Sequence, residues 1–594
     1  MREPIRIANC SGFYGDRITA AREMVEGGAI DVLTGDWLAE LTMLILARTR
    51  AKSPSIGYAR TFLTQMEQVM GSCLERGIKV VSNAGGLEPE RCADAVAEIA
   101  ARLGLSPRVA YVSGDDLMAR LDDLMGAGAD FAVTEDSRRR DGTASFLTAN
   151  VYFGCFGIVE ALARGADIVV TGRVTDAALV CGPAAWHHGW GRDDLDELAG
   201  AVVAGHAVEC GAQVTGGNYS FFTEVAGLDR VGFPWVEVAA DGSSVVGKHD
   251  GTGGQVSRGT VTAQLLYEIA GPAYLGPDVT ARFDTIELDE VGPDRVRISA
   301  VRGDAPPATL KVALNEVGGY RTDLRVALTG LDVEAKARLV EEAFWSACAY
   351  RASDYDEVVT QLVRTDKPDP ATNDEAVATW RLTLRDRDAN KLGRVVTDAA
   401  VEIALASVPG YFLAHGGSSG ASPYGVFRAA SVARHLVPQH VTVLGDGCTV
   451  VDSLAPRAPA ETIERDESRD GSRATSDDAC TGATTRAPLG RVVGARSGDK
   501  GGDANLGVFT RGDAAWVWLD SFLTVAELRR LLPETEGLAI DRYRLPRLRA
   551  LNFVIHGLLG DGVAASSRAD AQAKGLGEWL RSRVVAIPED LLAP

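Results

Sequence analysis

From Ile5 onward the chain repeats one cycle. A short apolar run ends at a polar or glycine-rich loop, and an amphipathic stretch with helical spacing follows. IRIAN is the first run; residues Thr19 to Glu26 have helical periodicity and stop at Gly27-Gly28; IDVLTGD is the second run and LAELTMLILARTR the second helical stretch. The same alternation continues through TFLTQMEQVMGSCLERG, KVVSNAGG, PERCADAVAEIAARLG, RVAYVSGDD and ALARGADIVVTGR. This spacing predicts α/β architecture, with buried, mostly parallel strands covered by flanking helices. The cycle breaks down before eight regular units, so the expected sheet is open rather than a closed barrel.

After about Gly217 the texture changes to strands mixed with glycine turns, WVEVAADGSSVVG, RFDTIELDEVG and RVRISAVRG, which predicts an α+β region with antiparallel pairing. Helical periodicity returns over Asp332 to Arg351 and Thr397 to Ser407. The expected organisation is an α/β part over 1–240, an α+β part over 241–452, a flexible linker over 453–488 and a small α+β sandwich domain over 489–594. The linker has no aromatic residue and almost no large apolar one, so it cannot bury enough surface to offset its ordering entropy.

Charge and composition narrow the function classes. The 594 residues include 61 Lys and Arg against 81 Asp and Glu, a formal net charge of −20, which argues against nucleic-acid and anionic-membrane partners. Hydrophobic residues at 46% and charged residues at 24% exclude collagen-like, coiled-coil and wholly disordered classes. The 9 cysteines are scattered without a C-x-x-C pair, as in a reducing compartment. Arg2, Glu3 and Arg6 stand where a secretory leader is apolar, and LTMLILA is far shorter than a membrane helix, so a cytoplasmic protein is expected.

Candidate chemistry lies mostly in the loops that follow the strands. NCSGFYGDR carries Asp16 and Arg17, TGDWLAE carries Asp36 and Glu40, and SNAGG carries Asn83, Gly85 and Gly86. If these strands are parallel neighbours, their loops share one edge, where open α/β sheets bind ligands; each loop also reads as a helix cap or tight turn. VVTGRVTDAAL places Arg173 at a helix start, facing either an anionic ligand or an acidic neighbour. HDGTGGQVSRGTVTAQLLYEI joins His249, Gly251, Gly253 and Gly254 to a helix, which makes a phosphate or carboxylate cradle or an ordinary turn. No Walker A loop and no G-x-G-x-x-G fingerprint occurs, which weakens ATP and NAD binding.

His415, Gly416, Gly417 and Ser418 open HGGSSGASPYG, a formal match to the G-x-S-x-G nucleophile elbow that Pro423 interrupts; a second anion-binding glycine loop beside Gly251 is the stronger reading. RSGDKGGDANLGV gathers Asp499 and Lys500 in a polar loop, either a site, a docking surface or a solvated turn. No histidine or cysteine set has metal-ligand spacing, so no metal and no separate cofactor are expected.

Taken together, Gly15-Asp16-Arg17, Asp36-Trp37-Leu38-Ala39-Glu40, SNAGG, GADIVVTGRVTDAAL, GTGGQVSRGTVTAQLLYEI and YLGPDV resemble the acyclic terpene utilisation (AtuA) family over nearly all of residues 4 to 450. RSGDKGGDANLGV resembles the hallmark of the small AtuA-like domain, with one departure: Gly501-Gly502 lengthens the usual Gly-Asp-Lys-Gly-Asp run and displaces Asp503. The resemblance implies bacterial breakdown of acyclic terpenes such as citronellol and geraniol through branched acyl-CoA thioesters. The expected activity is a hydration or lyase step on such a thioester, with coenzyme A present only as part of the substrate. Asp16, Asp36 and His249 are then the acid/base candidates, completed by Asp499 and Lys500, while Arg17, Arg173 and the glycine loops contact anionic groups. Two alternatives stay open. One is a scaffold docking on an acyl-CoA pathway enzyme through the C-terminal domain, and the other a serine hydrolase or thioesterase using Ser418. Association into a homo-oligomer is compatible with each.

Overall fold

In the first half, six strands alternate with helices and a hairpin follows: β1 (Ile5–Asn9), β2 (Val32–Gly35), β3 (Lys79–Ser82), β4 (Val109–Ser113), β5 (Phe146–Val151) and β6 (Ile168–Thr171), then β7 (Pro234–Val238) and β8 (Ser244–Lys248). They belong to a computed structural model that describes residues 2–53, 56–129, 131, 146–418, 420–453 and 483–592. β1, β2, β3, β6 and β4 lie side by side in that order, all parallel. β7 and β8 continue the sheet antiparallel beyond β1, followed by Arg295–Ser299 and Glu287–Gly292. Gln439–Val443 and Gly447–Val451 extend it beyond β4, giving an open sheet of 11 strands.

Successive strand side chains point to opposite faces, and both faces here are covered. Ile7, Val32, Val81, Ala110 and Val169 pack with the helices Phe156–Ala163, Ala178–His188 and Leu195–Val208. Ala8, Leu33, Val80, Val109, Ile168 and Val170 pack with Ala20–Gly27, Arg60–Arg76 and Pro89–Leu103. Burial on both sides is why these strands read as unbroken apolar runs rather than alternating ones. The helix Leu195–Val208 is buried without interruption from Leu198 to Val208, so a polar residue at its end is conspicuous.

The C-terminal domain has a four-stranded antiparallel sheet in the order Val493–Lys500, Asp503–Thr510, Ala550–Ile555, Ile540–Leu545. The stretch expected to be a polar loop around Asp499 and Lys500 is a two-stranded hairpin, in which Lys500 pairs with Asp503 across Gly501-Gly502. Gly501 has φ +64°, a left-handed conformation that glycine adopts without strain and that a two-residue hairpin turn requires. Of the expected linker, residues 454–482 lie outside the described residues, while Thr484–Pro488 is a strand paired with Val584–Pro588.

The chain divides into two compact units, and their limits differ from the expected cuts at 240 and 452. The first is Met1–Asn315 with Phe427–Val563 and Asp570–Pro594. Residue 240 falls inside the β7–β8 hairpin, where both strands belong to one sheet. The second unit, Glu316–Val426 with Ala564–Ala569, has the strands Val377–Asp386, Glu357–Val363 and Tyr411–Ser418 and the helices Val333–Ala347 and Arg394–Glu402 around Phe344 and Trp380. Among the described residues no helix is long and apolar enough to cross a membrane.

Candidate active site

Several parallel strand ends meet the end of one helix in the first unit. Asn9 closes β1, and its side-chain Nδ2 donates to the carbonyls of Val208 and Glu209, pinning the end of the helix Leu195–Val208. Gly12 comes so close that an added Cβ would stand 2.5 Å from the carbonyl carbon of Cys210. Asp36 follows β2; its Oδ1 accepts from Asn83 Nδ2 at 2.5 Å and from the Leu38 amide at 2.9 Å. Asn83 follows β3 and accepts the Trp37 amide at 2.8 Å, so the two loops are laced together. Arg173 follows β6, with its amide donating to Asp115 Oδ2 at 2.8 Å beyond β4. Its guanidinium Nη1 donates to the Leu38 carbonyl and to Asp176 Oδ1, both at 2.8 Å, and the group lies 4.1 Å from the centre of the Tyr152 ring.

The C-terminal domain closes another side. Strand alternation places Arg496, Gly498 and Lys500 on one face and Ser497 and Asp499 on the other. Arg496 lies 4.4 Å from the centre of the Tyr267 ring, a Cβ on Gly498 would stand 2.6 Å from that ring, and Lys500 Nζ donates to the Glu268 carbonyl at 2.8 Å. Lys500 is also 5.9 Å from the centre of the Tyr274 ring.

At the centre is a pair that the sequence reading did not single out, His206 and Glu209, with Nδ1 of the imidazole 2.9 Å from Oε1 of the carboxyl. His206 is fully buried, with the Tyr274 ring tilted against it and the Phe283 ring edge-on. Burial, followed by the charge of Lys500, lowers its basicity to about 4, so the ring is neutral near pH 7. Burial and the nearby Asp176 push the Glu209 carboxyl well above the usual carboxylate range, against the pull of Lys500 and Arg173. Glu209 Oε2 and His206 Nε2 have no protein hydrogen-bond partner among the described residues.

Burial and Asp176 likewise raise Asp36, which Arg173 and Asn83 oppose. Arg173 stays firmly charged: burial works against it, but Asp176, Tyr152 and Asp36 outweigh that. Asp115, behind Arg173, is pushed up to about 7 by burial even though the Arg173 amide and Asn150 donate to it. Carboxyls whose basicity burial raises, set beside fixed cations, constitute acid/base equipment.

Of the residues expected from the sequence, Asp36, Asn83, Arg173 and Lys500 therefore meet around this cluster. Gly85 and Gly86 are tight-packing positions: a Cβ on Gly85 would stand 2.5 Å from the Thr171 carbonyl oxygen, and one on Gly86 2.8 Å from that of Gly57. Asp16 accepts the amides of Gly12 and Arg17 and shapes the first loop. Arg17 pairs with Glu23 at 2.8 Å and donates to the Val231 carbonyl. His249 is buried elsewhere, with Nε2 3.0 Å from the Met24 carbonyl and the ring against Gly27 and Gly28.

In the loop of Gly251, Gly253 and Gly254, the amides of Thr252, Gly254 and Gln255 donate to backbone carbonyls and that of Val256 to Asp294. Ser257 and Thr260 cap the following helix reciprocally, so these amides do not converge on an open cradle. Asp499, on the strand face opposite Lys500, does not share the side that Lys500 presents. His415, Gly416, Gly417 and Ser418 lie in the strand Tyr411–Ser418 of the second unit; their side chains lie outside the described residues, as does Ser419. The next element is the strand Ser422–Ala433, not the helix that a nucleophile elbow requires. Among the described residues no three His, Cys, Asp or Glu side chains are grouped to hold a metal ion.

The family profile described as acyclic terpene utilisation family protein AtuA matches residues 5–443, which takes in every strand end described above. The chain belongs to this family. A second profile, the AtuA ferredoxin-like domain, matches residues 487–586, the domain that carries Arg496 and Lys500. Comparison with curated proteins and with solved structures gave no match. The AtuA family is implicated in acyclic terpene utilisation.

His206 and Glu209 did leave a signal in the sequence. LAGAVVAGHAVE is an apolar helical run ending in an i, i+3 pair of ionisable residues. A helix buried on all sides gives such residues no route to solvent, so they must be partnered or functional.

Proposed function

We propose that this AtuA protein catalyses a hydration, or its reverse as a lyase step, on a branched acyl-CoA thioester of acyclic terpene breakdown, with Glu209 as the acid/base. In the hydration direction the Glu209 carboxylate takes a proton from water as the water oxygen bonds to the β-carbon of an enoyl thioester. The electron pair of the carbon–carbon double bond moves toward the thioester oxygen, where Lys500 and Arg173 offset the developing charge. Glu209 then returns the proton to the α-carbon, so that one water is added overall. His206 is a positioning residue that fixes the rotamer of Glu209, and Asp36 and Asp176 hold Arg173.

The observation that carries this reading is the buried carboxyl of Glu209, aligned at 2.9 Å by a neutral imidazole, with its other oxygen unpartnered among the described residues. The test is mass spectrometry of geranyl-CoA and related branched 2-enoyl-CoA esters incubated with the protein in ¹⁸O-labelled water, for uptake or loss of one water, with citronellyl-CoA, saturated at C2–C3, as the unreactive control. Glu209→Gln is expected to slow turnover about 10²- to 10⁴-fold while KM changes little. Turnover by Glu209→Gln equal to that of the native protein would remove Glu209 from the mechanism. Absence of both turnover and any ligand-induced rise in Tm with every CoA ester would overturn the reading.

A further inference from the structure

A nearly buried guanidinium lies on the strand face that also carries Lys500, with only the partly exposed Glu268 carboxylate, among the described residues, acting on it electrostatically. Arg496 is 8% exposed, and its guanidinium donates to the Gln213 side-chain oxygen and lies 4.4 Å from the centre of the Tyr267 ring. Among the described residues no carboxylate is within ion-pair distance of it. An arginine cannot shed its proton to relieve burial, so a buried, unpaired guanidinium is costly wherever it is retained.

The ammonium of Lys574 lies over the same Tyr267 ring, also 4.4 Å from its centre, and its ion pair, with the half-exposed Glu268, is long at 3.4 Å. Two cations from different segments of the C-terminal domain thus converge on one aromatic ring, and the ion pair among them is the long one from Lys574 to Glu268. Glycine at position 498 lets the Arg496 strand approach that ring, which a Cβ would meet at 2.6 Å.

This cation pair is close to the chemistry. Lys500, whose charge acts on Glu209, lies on the same strand face as Arg496, with Gly498 between them. Gln213, which holds Arg496, is in the short turn that begins just after Cys210.

We propose that Arg496 and Lys574 form a subsite for a carboxylate on the acyl chain of the substrate, so that the preferred thioester carries a free carboxylate as well as the CoA group. A carboxylate matches the planar fork of an arginine, and its arrival supplies counter-charge to a guanidinium that water barely reaches. This rests on the function proposed above only for the molecule that carries the carboxylate.

The test is calorimetric binding to the full chain of glutaryl-CoA against butyryl-CoA, which differ at the far end of the acyl chain, with free CoA, inorganic phosphate, glutarate and butyrate alongside. Native protein is expected to bind glutaryl-CoA at least about tenfold tighter than butyryl-CoA, and Arg496→Gln to abolish that difference while leaving butyryl-CoA affinity unchanged. Lys574→Gln, at a side chain 40% exposed, should keep the native Tm and reduce the difference several-fold. Equal affinity for the two esters in the native protein, or a preference that survives both substitutions, would overturn the proposal. A parallel loss of free CoA, phosphate and both esters in Arg496→Gln would also overturn it, because the residue would then hold a CoA phosphate. If no CoA ester binds at all, the acyl-CoA reading fails by itself, and glutarate against butyrate decides the carboxylate subsite separately.

Discussion

Replacing His206 by Asn removes one of two ionisations that oppose each other inside the same pair. The folded protein holds the imidazole at about 4, against 6.5 for an unperturbed ring. Between those values the unfolded chain binds the proton and the folded one does not, so stability falls as pH falls through that window. The ionisation amounts to about 3 kcal/mol across it. Glu209 works in the other sense. Its carboxyl is raised by burial and Asp176, so above about pH 4.5 the unfolded chain releases a proton that the folded state keeps, and stability falls as pH rises.

In the native protein the two slopes partly cancel between about pH 4.5 and 6.5. His206→Asn should expose the Glu209 slope, so that stability declines as pH rises, whereas Glu209→Gln should expose the His206 slope, so that stability climbs. Urea denaturation of the full chain at a series of pH values across the window measures both, read as midpoints at constant m. The predicted divergence between the two variants is a few kcal/mol end to end. Parallel pH profiles for native protein, His206→Asn and Glu209→Gln would refute the claim that this pair titrates as a buried unit, and with it the acid/base role given to Glu209.

Arg173→Met should leave Asp36 and Asp176 without their facing cation and destabilise the fold by about 3–5 kcal/mol. The loss should be larger at pH 8 than at pH 5, because carboxyls that have lost their cation resist ionisation in the folded state; thermal melts at the two pH values check this. His556 is bracketed by Asp503 at 2.9 Å and Asp541 at 3.1 Å, and although burial opposes its charge, the two carboxylates raise its basicity. Its contribution to stability should be complete below about pH 6.5 and fade as pH rises through the raised folded value, and His556→Gln should remove that fall from the Tm profile. Gly498→Val should force the strand Val493–Lys500 away from the Tyr267 ring, cost about 1–3 kcal/mol and weaken ligand binding in step, measured by melts and calorimetry on one preparation.

The outcome of the sequence reading followed the range of the physics behind each statement. The strands IRIAN, KVVS and IVVT and the helices between them are legible because their signals are local: apolar runs of strand length, helical spacing, and the glycine stop at Gly27-Gly28, where the helix Ala20–Gly27 ends. The hairpin around Asp499 and Lys500 has the composition of a loop, rich in charge and glycine, while the feature that makes it a hairpin is the conformation of Gly501. Near residue 240 the texture of the sequence changes while strand pairing continues across it, because pairing is set by long-range contacts and not by composition.

The site divides along the same line. Sequence alone determined the family motifs, the parallel β/α core and the placing of Asp36, Asn83 and Arg173 after successive strands, since a residue that follows a buried strand must emerge at its carboxyl edge. Only the tertiary structure decided that these ends are neighbours, that the helix Leu195–Val208 delivers His206 and Glu209 among them, and that Arg496 and Lys500 reach the same place from almost three hundred residues away. Periodicity is written in adjacent residues, whereas the basicity of Glu209 and the imbalance at Arg496 come from burial and from charges that only long-range packing brings within reach.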